Sequence, residues 1–282
     1  MTESKKNIAF LHLSVFLMGF AGVIIKFVSY PSAVITLGRV FFSSAVLLIF
    51  AEAGHDNLKL KNKFDVFIAV FAGAIMAAHW FSFMHSIRLS TVAIGTITYS
   101  TYPVFVSFLE PLIYKEKFRF SGIMQALIVL FGLFITIPAL NLNNTVTLGV
   151  VWGMIGSITY AVLSLLNRYL SSRYSGRTVC LYEQGTATIL LLPALFIVKP
   201  SFNAADIVLL IILGVFCTAV AQTLFVESLK SVKVTTAGIV SGMETVYGIV
   251  LAIFILREIP SMREIIGGVI ILSVALYTTL KK

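Results

Sequence analysis

The chain has 282 residues, of which 59% are hydrophobic and 12% charged, with a formal net charge of +9. Ordinary soluble domains carry about 25% charged residues, so a soluble fold of this size lacks the polar surface to cover its apolar content. Two cysteines, Cys180 and Cys217, are too few for a disulfide framework, and basic residues scattered at segment ends rather than gathered among aromatics exclude a nucleic-acid surface.

From Ile8 to Tyr277 the chain is a succession of apolar blocks separated by short, mostly basic breaks. A bilayer core of roughly 30 Å needs about 20 apolar residues at helical rise. The blocks predict ten helices near residues 8–28, 32–51, 65–85, 89–113, 119–138, 148–169, 178–198, 205–226, 234–256 and 261–279. Only helices fit, because lipid-exposed backbone must satisfy its own hydrogen bonds and these segments are far too long for barrel strands. Lys5 and Lys6 ahead of Ile8–Ile25 imitate a signal peptide, but the run lacks a small-residue cleavage site and is read as the first span. Ser29-Tyr30-Pro31, Asn141–Asn144 and Lys199-Pro200 punctuate the breaks. The expected fold is therefore all-α integral membrane, with ten transmembrane helices.

An even number of spans leaves both termini on one side. Fifteen Lys and Arg then fall on that side and five on the other (Lys26, Arg88, Lys199, Arg257, Arg263), with Arg39 inside a span, which accounts for all 21. Cytoplasmic loops carry the excess of Lys and Arg. The expectation is a multi-pass protein of the cell (inner or plasma) membrane with cytoplasmic N- and C-termini.

The halves resemble each other. Aligning Glu116 with Glu258 brings Ala77 onto Ala219, Phe83 onto Phe225, Ser86 onto Ser228, Val92 onto Val234 and Val104 onto Val246. Arg88 meets Lys230, and Lys115-Glu116 meets Arg257-Glu258, so the charged turns align as well as the apolar residues. Five spans per half is an odd number, so the second half is expected upside down relative to the first. Residues 1–140 and 147–282 are read as two inverted five-helix repeats forming one transport domain. Inverted repeats are a signature of secondary transporters, with the site near the midplane where the halves meet.

Ser90–Phe134 and Val234–Leu276 each run through a hydroxyl-bearing helix, an acidic turn and a final apolar helix. With Tyr102-Pro103-Val104 and Glu116-Lys117-Phe118 in the first half, and Glu244-Thr245-Val246 and Arg257-Glu258-Ile259-Pro260 in the second, the chain resembles the EamA-type branch of the drug/metabolite transporter superfamily over nearly its whole length. It departs from the usual pattern at Thr245, where the family has Pro, and at Lys115 and Arg257, where it often has Gly. The resemblance implies inverted five-helix repeats, a central cavity lined by helices one to four and six to nine, and alternating access.

Ionisable groups inside spans are costly and normally face a cavity or a partner. Arg39, eight residues into the second span, is a candidate to hold a carboxylate or phosphate, or to pair with a buried acid. Glu244, mid-way along the ninth and beside Ser241, Thr245 and Tyr247, aligns with Tyr102. It would bind a cationic group, carry a coupling proton, or bridge to Arg39. Glu183 and Gln184 occupy the matching part of the seventh span, where Glu183 would line a pathway or neutralise Arg177. Glu110 is expected to pair at the interface. His79 and Trp80 of the third span are candidates for substrate contact or a single helix-to-helix bond, while His85 is read as interfacial. Thr96 to Pro103 is the most polar stretch in any span, and Pro103 should bend it near midplane. Candidate substrate-binding residues are Arg39, His79, Trp80, Tyr99, Tyr102, Glu183, Gln222, Glu244 and Tyr247, and Gly149, Gly153, Gly156, Gly238 and Gly242 permit close helix crossings.

These residues predict a secondary active or facilitative transporter for a small polar or amphipathic metabolite, with export of amino acids or related compounds among the candidates. The alternative from another class is a lipid-modifying membrane enzyme, which should show an acid/base or nucleophile cluster near an interface; none stands out. A channel would need a filter loop or a ring of charge. No metal-ligand spacing occurs, so neither cofactor nor metal is expected. The expected partners are the bilayer and a small-molecule metabolite, with no nucleic acid; a homodimer is left open.

Overall fold

The structure is a computed structural model, describing residues 3–54, 57–114, 120–138, 141, 143–228 and 234–280. Every described regular element is helical. In chain order they are α1 (Glu3–Phe27), α2 (Ser32–Ala53), α3 (Lys63–Leu89), α4 (Val92–Tyr99), α5 (Tyr102–Tyr114), α6 (Phe120–Thr136), α7 (Thr145–Ser171), α8 (Gly176–Leu191), α9 (Pro193–Val198), α10 (Ala204–Gly214), α11 (Ala221–Ser228), α12 (Val234–Leu251) and α13 (Met262–Leu280). Two widened π-helical turns, Val215–Val220 and Ala252–Leu256, join α10 to α11 and extend α12. Among the described residues seven stretches are long and apolar enough to cross a membrane, ending with Ala204–Phe225; Gly122–Thr136 and Val240–Leu256 are apolar but shorter. The Glu116-Lys117 turn lies outside the described residues.

Local chemistry sets the helix starts. Asn62, Thr91, Asn144, Ser175 and Asn203 each accept a backbone N–H of the first turn of α3, α4, α7, α8 and α10. These side chains satisfy donors that a helix cannot satisfy itself. Left-handed residues Lys199 and Arg257, at φ 47° and 57°, close α9 and the π-turn after α12.

The span expected at 89–113 is two helices rather than one. Ser100 and Thr101 separate α4 from α5; the Ser100 hydroxyl donates to Thr96 O at 2.9 Å and Thr101 Oγ1 to Thr98 O at 2.7 Å. Pro103 lies in the first turn of α5, where its missing N–H costs little. The bend expected from Pro103 is thus a break just ahead of it. Hydroxyls at the break tie two other helices: Ser100 to Thr245 of α12 and Thr101 to Ser157 of α7, each at 2.7 Å.

The packed pairs are reciprocal between the halves. α1 packs on α11 and α12, as α7 packs on α3 and on α4 and α5; α2 meets α10 as α8 meets α3; and α2 packs on α8 as α6 packs on α13. Glycines make the tightest crossings. A Cβ at Gly153 would collide with Thr98, and one at Gly149 with Ser90, so the expected small-residue motif of α7 serves packing against α3 and α4. Large apolar side chains such as Phe67, Phe131, Phe196 and Phe254 point outward, as lipid-facing positions require.

Polar residues gather at the two ends of the bundle. At one end Lys26 Nζ meets Glu258 Oε1 at 2.9 Å and donates to Ser90 O at 2.6 Å, while Val92 N–H donates to Glu258 Oε2 at 2.9 Å. Arg88 donates to Val28 O, Thr91 to Glu264, and the backbone and hydroxyl of Ser29 to Asp206. At the other end Asp65 accepts from Tyr174 at 2.5 Å and Tyr169 at 2.9 Å, with Arg173 Nη1 at 3.3 Å. The two ends share a design. Asn62 with Asp65 and Asn203 with Asp206 form the same cap, and a tyrosine hydroxyl, Tyr174 or Tyr30, receives the backbone N–H of Lys61 or Asn203.

Candidate functional site

A cavity of about 260 Å³ lies between the halves. Val15 and Met18 of α1, Tyr99 and Ser100 at the helix break, Tyr102 and Pro103 of α5, Tyr160 of α7 and Cys180 of α8 form part of its wall. Gln222 and Phe225 of α11, Ser241, Gly242, Glu244 and Thr245 of α12, and Leu272, Ala275 and Leu276 of α13 form the rest. Cys180 belongs to the first turns of α8, Phe225 to the end of α11, and Leu276 to the last turns of α13. All three extremities lie at the Asp65 end of the bundle, the end where Arg177 of α8 donates to Phe50 O. None of the residues in the Lys26–Glu258 layer lines the cavity.

Three tyrosines build the aromatic side. Tyr99 stacks on Tyr102 with centroids 5.3 Å apart, and Tyr160 sits edge-on to both, at 5.1 and 4.7 Å. These are the offset and T-shaped separations that aromatic quadrupoles favour. The break between α4 and α5 is what lets Tyr99 and Tyr102 turn to the same space. Glu244 faces them from α12. Gly19 of α1 allows that approach, because a Cβ there would lie 2.8 Å from the Glu244 carbonyl oxygen.

Of the nine residues expected from sequence, Tyr99, Tyr102, Gln222 and Glu244 line the cavity. Arg39, His79, Trp80 and Glu183 are packed in the wall behind it. The Arg39 guanidinium is 1% exposed, lies 3.3 Å above the Trp80 ring, and donates from Nε to Thr218 Oγ1 at 2.7 Å and from Nη2 to Cys217 O at 3.4 Å. The hydrogen bonds of Arg39 thus go to π-turn partners rather than to Glu244, which interacts with it electrostatically. Thr218 reaches Arg39 because the widened turn lets its hydroxyl bond back to Leu213 O, five residues earlier, at 2.8 Å. His79 Nδ1 bonds Gly156 O at 2.8 Å and its ring leans on Tyr160 and Tyr99. Glu183 is fully buried beside Asn167, while Arg177 turns to Phe50 O, so the neutralising role considered for Glu183 is not its arrangement here. Gln184 donates to Gln222 at 2.9 Å.

Tyr247 sits apart from the cavity. It bonds His12 at 2.9 Å and packs edge-on against Phe16, because three residues past Glu244 on the helix its side chain turns toward α1. Glu110 pairs with Arg168, as expected. Sequence reasoning missed Tyr160, Cys180, Thr218, Asp65 and Asp206. The two aspartates did carry a signal, an Asn three residues before each at matching places in the two halves. Tyr160 aligns with the cavity residue Met18 at the repeat offset, a clue usable only once Met18 is known to line the wall.

Comparison with known proteins agrees with this architecture. The chain is 26% identical to an uncharacterized transporter of Archaeoglobus fulgidus over 93% of this chain and 92% of the relative. It is 21% identical to the uncharacterized transporter YxxF of Bacillus subtilis over 96% of this chain and 89% of that one. A protein of known crystal structure, 16% identical, matches 99% of both chains with a TM-score of 0.67 and so shares the fold. The sequence profile of the EamA-like transporter family matches twice, at residues 5–137 and 147–280, and the chain belongs to that family.

Proposed function

We propose that this membrane transporter carries a small polar or amphipathic metabolite through the central cavity by alternating access, as a secondary active or facilitative carrier. In this reading the protein has ten spans in two inverted five-helix repeats, 1–140 and 147–282, with both termini cytoplasmic in the cell membrane. The observation that carries the reading is the uneven closure of the two ends among the described residues. The cavity lining reaches the Asp65 end, whereas Lys26, Glu258, Ser90, Val92, Arg88 and Val28 cross-link the other. A carrier needs one end sealed while the other admits substrate, and reciprocal packing of the halves supplies a route to the mirror arrangement. The positive charge bias supports assigning the Asp65 end to the cytoplasm.

The test is flux into proteoliposomes from a panel of radiolabelled amino acids, amines, nucleosides and sugars, alongside lipid turnover in detergent. Saturable uptake of one class, accelerated by the same compound preloaded inside, is the expected result. Lipid turnover without flux of any compound would replace the carrier reading by an enzymatic one.

A further inference from the structure

We propose that the cavity binds an organic monocation, a protonated or quaternary amine on a compact apolar or aromatic body, with its ammonium between Glu244 and the faces of Tyr99 and Tyr102. The inference rests on the transport reading only for its physiological meaning. The binding site stands on its own geometry.

Among the cavity-lining residues Glu244 is the one formal charge, and neither Lys, Arg nor His joins it there. Among the described residues no side chain or backbone donor hydrogen-bonds its carboxylate. Arg39, the core cation that interacts electrostatically with Glu244, sends its hydrogen bonds elsewhere, to Thr218 and to Cys217 O, and lies over the Trp80 face. Other groups around the wall offer no competing cation: His79 is held on Gly156 O, and Glu183 is a second buried carboxylate. A carboxylate that faces a small, largely apolar space with no hydrogen-bond partner is an arrangement that a bound cation completes.

The aromatic side fits the same charge. Three tyrosine rings meet with centroids about 5 Å apart, and ring faces attract an ammonium lying within about 6 Å. An anionic group would find no charge partner in this lining. Ser100 and Thr245, two of its hydroxyls, already bond each other at 2.7 Å. A bare proton would neutralise Glu244 but leave the cavity and its ring faces unfilled. At 260 Å³ the space is just below the usual range of ligand pockets, roughly 300–1,000 Å³, so the cation is compact. Leu272, Leu276, Phe225 and Met18 would receive its apolar body.

The experiment is isothermal titration of the full-length protein in detergent with four probes of similar size: benzyltrimethylammonium, benzyl alcohol, benzoate and phenylalanine. Benzyltrimethylammonium cannot donate a proton, so its binding separates a cation site from a proton site. The expected result is saturable binding of this cation, weakened about tenfold or more in Glu244→Gln. Tyr102→Leu, which removes the ring face, should weaken binding severalfold, and more than Tyr102→Phe, which keeps it. If Glu244→Gln does not fold, the probe series on the unaltered protein and the Tyr102 pair still decide. Equal or tighter binding of benzyl alcohol, benzoate or phenylalanine overturns the proposal, as does cation binding undiminished in a folded Glu244→Gln. Failure of the two readings is distinguishable. Cation binding without flux of any amine removes the transport reading alone, and flux of a neutral or anionic metabolite with an inert cation removes this one alone.

Discussion

Removing the Glu258 carboxylate should open the end of the bundle that is sealed. Its two oxygens take Lys26 Nζ and the Val92 N–H at 2.9 Å each, and the Lys26 and Glu258 side chains are 18% and 22% exposed. Hydrogen bonds to charged groups contribute about 1.5–3 kcal/mol when buried, and fully exposed ion pairs up to about 1 kcal/mol. With this partial exposure, Glu258→Ala should withdraw roughly 2 kcal/mol from the sealed arrangement, between those limits. That is a factor of about 30 in the equilibrium between sealed and open, and a resting open population of about 1% would become roughly a quarter. The assay is labelling of Ala93→Cys by a membrane-impermeant maleimide, with Cys180 and Cys217 replaced by serine. Ala93 is 4% exposed and lines a small pocket with Glu258. Labelling from the Lys26 side should rise about twenty- to thirtyfold in Glu258→Ala, by the same population arithmetic. It should rise less in Glu258→Gln, whose amide oxygen still accepts from Val92. A lowered melting temperature with unchanged labelling would show that the bridge holds the fold together and does not gate the cavity.

Four further outcomes follow from named contacts. Thr218→Val keeps shape but strands the buried Arg39 Nε, and should cost about 1–3 kcal/mol, read as a lower melting temperature in detergent. Gly153→Val forces a side chain into Thr98 and should destabilise by about 1–3 kcal/mol, whereas Gly185→Ala, with nothing within 4 Å of its Cβ position, should leave melting unchanged. Asp206→Asn keeps the Asn203 cap partly intact but weakens the Ser29 contacts, so it should raise labelling of Ala93→Cys. Asp65→Asn, the matching change at the opposite end, should not. A reporter fused after Lys282 should be active only in a cytoplasmic assay, and periplasmic activity would overturn the orientation drawn from the charge bias.

Much of the architecture was legible because it depends on local quantities. Apolar runs of bilayer length, basic breaks and punctuation such as Asn141–Asn144 need no knowledge of the neighbours, since solvent preference and local turn chemistry fix them. The repeat was visible for the same reason: matched turns such as Arg88 with Lys230 keep their chemistry at a fixed spacing. Glu244 and the Tyr99–Tyr102 stretch stood out because polar groups inside a span must face something other than lipid. What each buried group faces was decided by tertiary structure alone. The sequence left open whether Arg39 and Glu244 pair with each other or serve separately; the π-turn at Val215–Val220 brings Thr218 and Cys217 O to the guanidinium, and Glu244 lines the cavity. Tyr247 and Tyr160 show the same division. The first looked like a site residue and packs on His12, while the second passed as one tyrosine in an apolar helix and closes the aromatic wall. Hydropathy and spacing fix how deep a side chain lies, but its direction is set by helix rotation, which depends on glycine contacts and local breaks distributed over several distant segments.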